Sequence, residues 1–388
     1  MSILTLDRTA LRDDVARRVL AIQRLMKERD LKLILAVSSG APSQTGWIRY
    51  LTGADLWSGQ AYIIVERDHP EPIVVLWSNY LAEWLSSMAT TTRIESTLER
   101  RIAPISRVLE IVTDLTGGTG RIGTLNFNRS ALVGDYHAFA KAFPRLELVD
   151  ATDQANLIRQ IKSPFEIEAM RETGRTLVEG FRIFEEQARP GRRALEISGM
   201  IEGFLRGKGY NWGRAKYSLD QRPYTLPVDP ARTLRDDDVI LFQYVFQSSL
   251  GYWYEVARLY SFVPLPKDTE RRYAAMDQAM HQIAKMCRPG ATYGMISEAS
   301  DRIFREHGLT VVGKHTEDVH SIGTDISDGP PWYKNEWELQ ENMVVALHPA
   351  SLVEGDLAFF ICENYVITPA GAEPLSPLQS FYRQLPAS

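Results

Sequence analysis

The chain has 388 residues, 44% of them hydrophobic and 24% charged, with a formal net charge of −5. That balance describes a globular chain of about two domains, and it gives no electrostatic case for nucleic acid. No apolar run reaches the roughly 20 residues of a membrane span, and Cys287 and Cys362 lie too far apart in sequence for a CxxC metal or redox motif.

The opening segment has no apolar core of signal-peptide type and carries acids early. With two free thiols suited to a reducing compartment, a cytoplasmic protein is expected. Residues 11–29 space Val, Leu and Ile among charges at helical intervals. Strands are expected at 31–39, 61–66 and 71–77, a helix at 105–115, and strands at 121–127 and 145–153. This alternation predicts an α/β domain over residues 1–155. Ser163-Pro164 then opens a long amphipathic helix, because proline in the first turn loses no hydrogen bond. A second domain is expected over 156–388.

That second part contains a repeat. Arg-Pro-Gly recurs, with Gly191 matching Gly290, Ile197 matching Ile296 and Gly209 matching Gly308, each pair 99 residues apart. Each copy reads as a helix ended by glycine and followed by a strand. Two long copies predict a duplicated α+β domain with its site at the pseudo-symmetric centre, not a solenoid.

Four apolar segments after Arg222 read as core strands, and each carries polar groups. The first has Gln243 and Tyr244, the second Glu255 and Arg258, the third His348, the fourth Glu363. A loop adds His320. Any one of these could point outward by strand alternation, and charged groups are seldom fully buried unless paired, but the pattern recurs across several strands.

Several segments resemble the creatinase, prolidase and aminopeptidase P family. IRQIKSPFEIEAMR resembles the helix entrance of its catalytic domain, GWIRYLTGADLWSG an N-domain segment, VHSIGTDISDGPPW its His-Gly-x-Gly segment and CENYVITPAGAEPL its closing Glu-Asp strand. The resemblance implies an α/β N-terminal domain, serving dimerisation and site capping, plus a duplicated α+β "pita-bread" catalytic domain. Metal-dependent members hold two divalent ions through Asp, Asp, His, Glu and Glu. Carried over, the first Asp falls on Gln243 or Tyr244, the second on Glu255, the His on His320, the first Glu on His348 and the last on Glu363. The upstream substrate-binding His falls near Val228. Two ions need more anionic oxygens than this set supplies. No cofactor is therefore expected, with a single ion on Glu255, His320, His348 and Glu363 left open.

Within the family the chain is most similar to the metal-poor ectoine hydrolases, which open a small zwitterionic cyclic amidine to N-acetyl-diaminobutyrate. That resemblance casts Glu255 as nucleophile or general base, with burial expected to push its carboxyl toward working pH. His320, His348 and Glu363 would move protons. Gln243, Tyr244, Tyr252, Trp253, Arg258, Trp332, Tyr333 and Trp57 would bind substrate, Arg258 through its carboxylate and the aromatic rings by stacking on the amidinium. Residues 47–57, including Trp57, resemble a cap over the partner's site in a homodimer, and equally fit a segment packed in its own domain. A deacetylase is the downstream partner implied. A metal-dependent X-Pro peptidase, a creatine-type amidinohydrolase and a ligand-binding module without activity are the alternatives.

Overall fold

The computed structural model describes residues 8–41, 44, 46–210, 212–219, 229–329, 335–354, 361–377 and 380–387. The chain divides into two compact units, Thr5–Gln160 and Ile161–Ser388.

The first unit holds a six-stranded sheet in the order β4-β3-β2-β1-β5-β6. Its strands are β1 (Leu33–Ser39), β2 (Gln60–Glu66), β3 (Ile73–Leu76), β4 (Ile94–Ser96), β5 (Gly120–Leu125) and β6 (Leu146–Asp150). The pairs β1–β2 and β2–β3 are antiparallel, the other three parallel. Among the described residues seven helices accompany it: α1 (Arg8–Glu28), α2 (Gly46–Thr52), α3 (Asn79–Ser86), α4 (Pro104–Thr116), α5 (Phe127–Ser130), α6 (Val133–Ala142) and α7 (Thr152–Gln160). The α/β expectation stands. The break, however, falls after Gln160 and not after residue 155. Residues 156–160 finish α7, where Asn156 and Gln160 are buried and the Arg159 guanidinium lies 4.4 Å over the Trp47 ring. Packing against the first core, not the approach of the next helix, decides where those residues belong.

The second unit runs α8 (Pro164–Gln187), α9 (Ala194–Gly207), β7 (Trp212–Ser218), β8 (Val239–Gln247), β9 (Trp253–Ser261), α10 (Lys267–Met286), α11 (Tyr293–Glu306), β10 (Val311–Lys314), β11 (Val319–Ser321), β12 (Val344–Leu347), β13 (Ser351–Val353), β14 (Glu363–Thr368), β15 (Gly371–Pro374) and β16 (Tyr382–Gln384). Helix α8 starts with a capping box. The Ser163 hydroxyl accepts from the Glu166 amide at 3.1 Å, and the Glu166 carboxylate accepts from the Ser163 amide at 2.9 Å. Its apolar stripe lies on the sheet, where Phe184 stacks on Phe242 at 4.3 Å. Among the described residues no helix is long and apolar enough to cross a membrane.

The duplication is visible in the backbone. Gly191 and Gly290 have φ of 85° and 88°. A Cβ on either would meet nothing within 4 Å, so conformation and not space calls for glycine. Their amides donate to Leu234 and Leu339 respectively, and two residues on come the matched bridges Arg193–Thr233 and Thr292–Glu338. Even the sheet register repeats: Val239 faces Ser261 in the first half, Val344 faces Val366 in the second.

Two four-stranded sheets result, β16-β9-β8-β7 and β11-β12-β14-β15. They meet where Ala257 of β9 bridges Cys362 and where the Trp253 amide donates to Gly323 at 2.7 Å. This junction is the pseudo-symmetric centre.

Candidate active site at the sheet junction

Strand alternation sorts the polar residues onto two faces. In the first sheet, Trp212–Gln247–Trp253, Arg214–Val245–Glu255 and Lys216–Gln243–Ala257 are cross-strand rows sharing one face. Cys362 joins that face through its bridge to Ala257. In the second sheet His320, Ala346 and Asn364 form one row. The other face carries Phe242, Tyr244, Tyr254 and Arg258, and in the second sheet Leu347 and Glu363.

On the first of these faces Glu255 and His320 make a buried pair, Oε1 to Nε2 at 2.7 Å. His320 Nδ1 faces the Ser321 carbonyl at 3.2 Å. Both ring nitrogens thus point at acceptors, which calls for a proton on each. His348 Nε2 stands 3.9 Å from the same carboxylate oxygen, its ring 5.2 Å from that of His320. The Gln243 amide reaches the other oxygen at 3.4 Å. Asn364 Nδ2 and Cys362 Sγ both donate to the Glu255 carbonyl, at 3.0 and 3.7 Å, and fix its backbone.

The electrostatics follow from this packing. Burial pushes the Glu255 carboxyl up, but the charge and hydrogen bond of His320, with His348 and Lys216, outweigh it and hold the group at about 2. This corrects the expectation of a carboxyl raised toward working pH: burial does raise Glu255, yet the charges that face it, His320 foremost, reverse the shift. Burial lowers His320, and the Glu255 carboxylate more than reverses that, to about 9. His348 moves the opposite way, lowered by burial and by the charge of His320. One imidazole is therefore a proton donor at neutral pH and its neighbour a proton acceptor. Beside them a cavity of about 500 Å³ is lined by Tyr293, Ser297, His315, Glu317 and Asp318, among others. Glu317 is held below its ordinary range; burial raises it, and His320 chiefly lowers it.

Five predicted residues, Glu363, Arg258, Tyr244, Tyr252 and Trp57, do not join this group. Glu363 takes four donors, which saturate a carboxylate. They are the Arg258 guanidinium at 2.5 Å, the Ser376 hydroxyl at 2.7 Å, the Asn364 amide at 2.8 Å and the Tyr254 hydroxyl at 3.2 Å. The same contact commits Arg258, whose other nitrogen donates to the Cys362 carbonyl at 2.6 Å. Neither group is free for a proton relay or a substrate carboxylate. Tyr244 lies on the same face as Arg258 and lines a separate cavity of about 280 Å³ with Glu202 and Arg206. The Tyr252 hydroxyl donates to Glu166 at 3.4 Å. Trp253 shares the face of Glu255, against Trp212 at 5.0 Å. Trp57 is 54% exposed in the first unit, edge-on to Tyr80. Trp332, Tyr333 and Val228 lie outside the described residues.

Sequence reasoning missed Lys216, Cys362 and Asn364. Lys216 sits in a segment with no apolar run to mark it. The choice between Cys362 and Glu363 as the inward residue depends on the bridge to Ala257.

The donor set also decides what metal could be held. Glu255, His320 and His348 bring ligand atoms within 4.8 Å of one another. One carboxylate, two imidazoles and an amide, with a lysine charge acting on that carboxylate, do not fit a pair of divalent ions. Two His and one Glu do match the donor types of a single zinc.

Residues 168–369 match metallopeptidase family M24. Among curated relatives, the uncharacterized hydrolase/peptidase y4tL of Sinorhizobium fredii is 24% identical over 94% of this chain and 95% of its own length. Among solved structures, an X-Pro aminopeptidase from Thermotoga maritima superposes with a TM-score of 0.79 at 18% identity, covering 95% of this chain and 99% of that one. A prolidase from Thermococcus sibiricus gives 0.80 at 16%, covering 96% and 99%.

Proposed function

Since the chain belongs to metallopeptidase family M24 and is a hydrolase of that family with an altered donor set, we propose that it hydrolyses a C–N bond of a small cyclic amidine bearing a carboxylate, ectoine being the named candidate. The observation that carries this reading is the triad of Glu255, His320 and His348 in three different protonation roles on one face. An anionic carboxylate that shares its sheet face with Trp253 and Trp212 suits a planar amidinium.

The low pKa argues against Glu255 as general base, which works best near operating pH. It is compatible with a carboxylate nucleophile. Glu255 adds to the amidinium carbon. The ring C–N bond breaks, and the leaving nitrogen takes the His320 proton. The carbon stays on Glu255 as an imidate ester. Water, giving a proton to His348, adds to that carbon. The C–O bond to Glu255 then breaks, releasing an amide and the carboxylate. The hydroxyl proton returns to His320, and His348 gives its proton to the amine. The sum is amidinium plus water to amide plus ammonium.

A second reading is an X-Pro peptidase, supported by the three donor atoms within 4.8 Å and by the X-Pro aminopeptidase and the prolidase among the structural neighbours. A zinc held by Glu255, His320 and His348 would polarise a peptide carbonyl. A proton NMR time course separates the two. Enzyme dialysed against a strong chelator is expected to convert ectoine to an N-acetyl-diaminobutyrate. Ectoine left intact, with an X-Pro dipeptide cleaved only after zinc is added, would overturn the amidine reading in favour of the peptidase.

A further inference from the structure

Arg258 is taken by Glu363, so the carboxylate of the proposed substrate needs another cation. Edge strand β7 supplies one. Lys216 pairs with Gln243, which pairs with Ala257, so its side chain shares the face of Glu255. It is partly buried. Among the described residues its ammonium makes no hydrogen bond or ion pair, while the buried cations Lys162 and Arg258 each have a carboxylate partner. Its charge nonetheless acts on both Glu255 and Cys362.

Two ends of one binding surface follow from that placement. At the inner end Glu255 is anionic and flanked by Trp253. At the outer end, toward the sheet edge, stands an uncommitted cation, with exposed Arg214 one row away on the same strand face. The dipole runs from negative inside to positive outside. A zwitterion whose cationic centre is the reacting carbon and whose carboxylate trails behind fits it in one orientation only. A dipeptide with its amine toward Glu255 would meet the same cation with its carboxylate, so the subsite selects by charge position whatever the reaction.

We infer that Lys216 is the carboxylate-binding residue of this site and sets its preference for carboxylated amidines over uncharged-tail analogues. The inference rests on the substrate class proposed above. A flexible ammonium binds a carboxylate as a point charge, without the fixed fork of arginine. It therefore tolerates some variation in where the carboxylate sits.

The test is calorimetric binding of two probes, ectoine and 2-methyl-1,4,5,6-tetrahydropyrimidine, which lacks the carboxylate, followed by turnover of each. Wild-type protein is expected to prefer ectoine by about 10- to 100-fold, the range for a hydrogen bond to a charged group. Lys216→Met should abolish that preference, Lys216→Arg should keep most of it, and Arg214→Met should leave it in place. An intact preference in Lys216→Met, transfer of the effect to Arg214→Met, or equal losses on both probes would overturn the inference; the last would mean that Lys216 acts through Glu255. Failure of wild type to bind either probe overturns the subsite and the substrate class together. Lysine-dependent binding without turnover leaves the subsite standing and removes the amidine hydrolase. Turnover with a preference indifferent to Lys216 does the reverse.

Discussion

Replacing Glu255 by Gln keeps the shape of the side chain and removes the charge that holds a proton on His320. In the native protein that imidazole sits at about 9. At pH 7.5 it is then about 97% protonated. Without the carboxylate, burial is the main influence left, and it pulls His320 below its ordinary 6.5. Protonation at pH 7.5 should fall below about 10%. The stability cost has a definite sign. A histidine raised from 6.5 to about 9 contributes stability that is fully present below pH 6.5 and lost as pH rises through 9. A carboxyl lowered from 4.5 to about 2 contributes stability present above 4.5 and lost as pH falls through 2. Both act in full between pH 4.5 and 6.5. At pH 7 the histidine share alone is about 2–3 kcal/mol, and both side chains are buried, so screening removes little of it. Ring-proton NMR of His320 reads the protonation, and urea unfolding reads the stability. A His320 resonance that still titrates near 9 in Glu255→Gln would refute the pairing argument, because Glu255 would then not be what holds its proton.

Other expectations follow from the opposite face and from the backbone. Arg258→Met should cost about 3–5 kcal/mol, since it leaves the Glu363 carboxylate buried without its cation; thermal melting measures the loss, and the folded fraction should keep the wild-type KM. The pH profile of kcat/KM should rise as His348 loses its proton, below the ordinary histidine value, and fall near pH 9 as His320 does. A profile with no basic limb would remove His320 as the acid. Gly323→Ala should destabilise the junction, because its Cβ would overlap the Asp328 carboxylate and lie 2.5 Å from the Lys162 ammonium, which are ion-paired at 2.8 Å. Differential scanning calorimetry should show a lower melting temperature than wild type.

The α/β character of residues 1–155 and the duplicated helix–strand unit were legible because they rest on local signals. Apolar periodicity marks β1 and β2, and Arg-Pro-Gly marks turns that require positive φ at Gly191 and Gly290. The site was only half legible. Glu255, His320 and His348 stood out as ionisable groups in apolar strands, and these three do come together. Glu363 and Arg258 carried the same signal and belong to the other face. Which of two adjacent residues points inward depends on register, and register is set by long-range pairing such as Ala257 with Cys362. The direction of the Glu255 shift was lost for a related reason. Its flanking Tyr and Trp residues are next to it in sequence, while His320 and Lys216, which reverse their effect, come from other strands. Lys216 itself carries no local mark, since a lysine on an edge strand reads as ordinary surface.

The central claim is that Glu255 is the reacting carboxylate. The most direct measurement is rapid acid quench of chelator-dialysed enzyme during ectoine turnover, followed by mass spectrometry of the peptide containing Glu255. A transient adduct of substrate mass is expected on that peptide, absent in Glu255→Gln, which should also fail to turn over. Steady turnover by Glu255→Gln at the wild-type rate, or an adduct on a different residue, would contradict it.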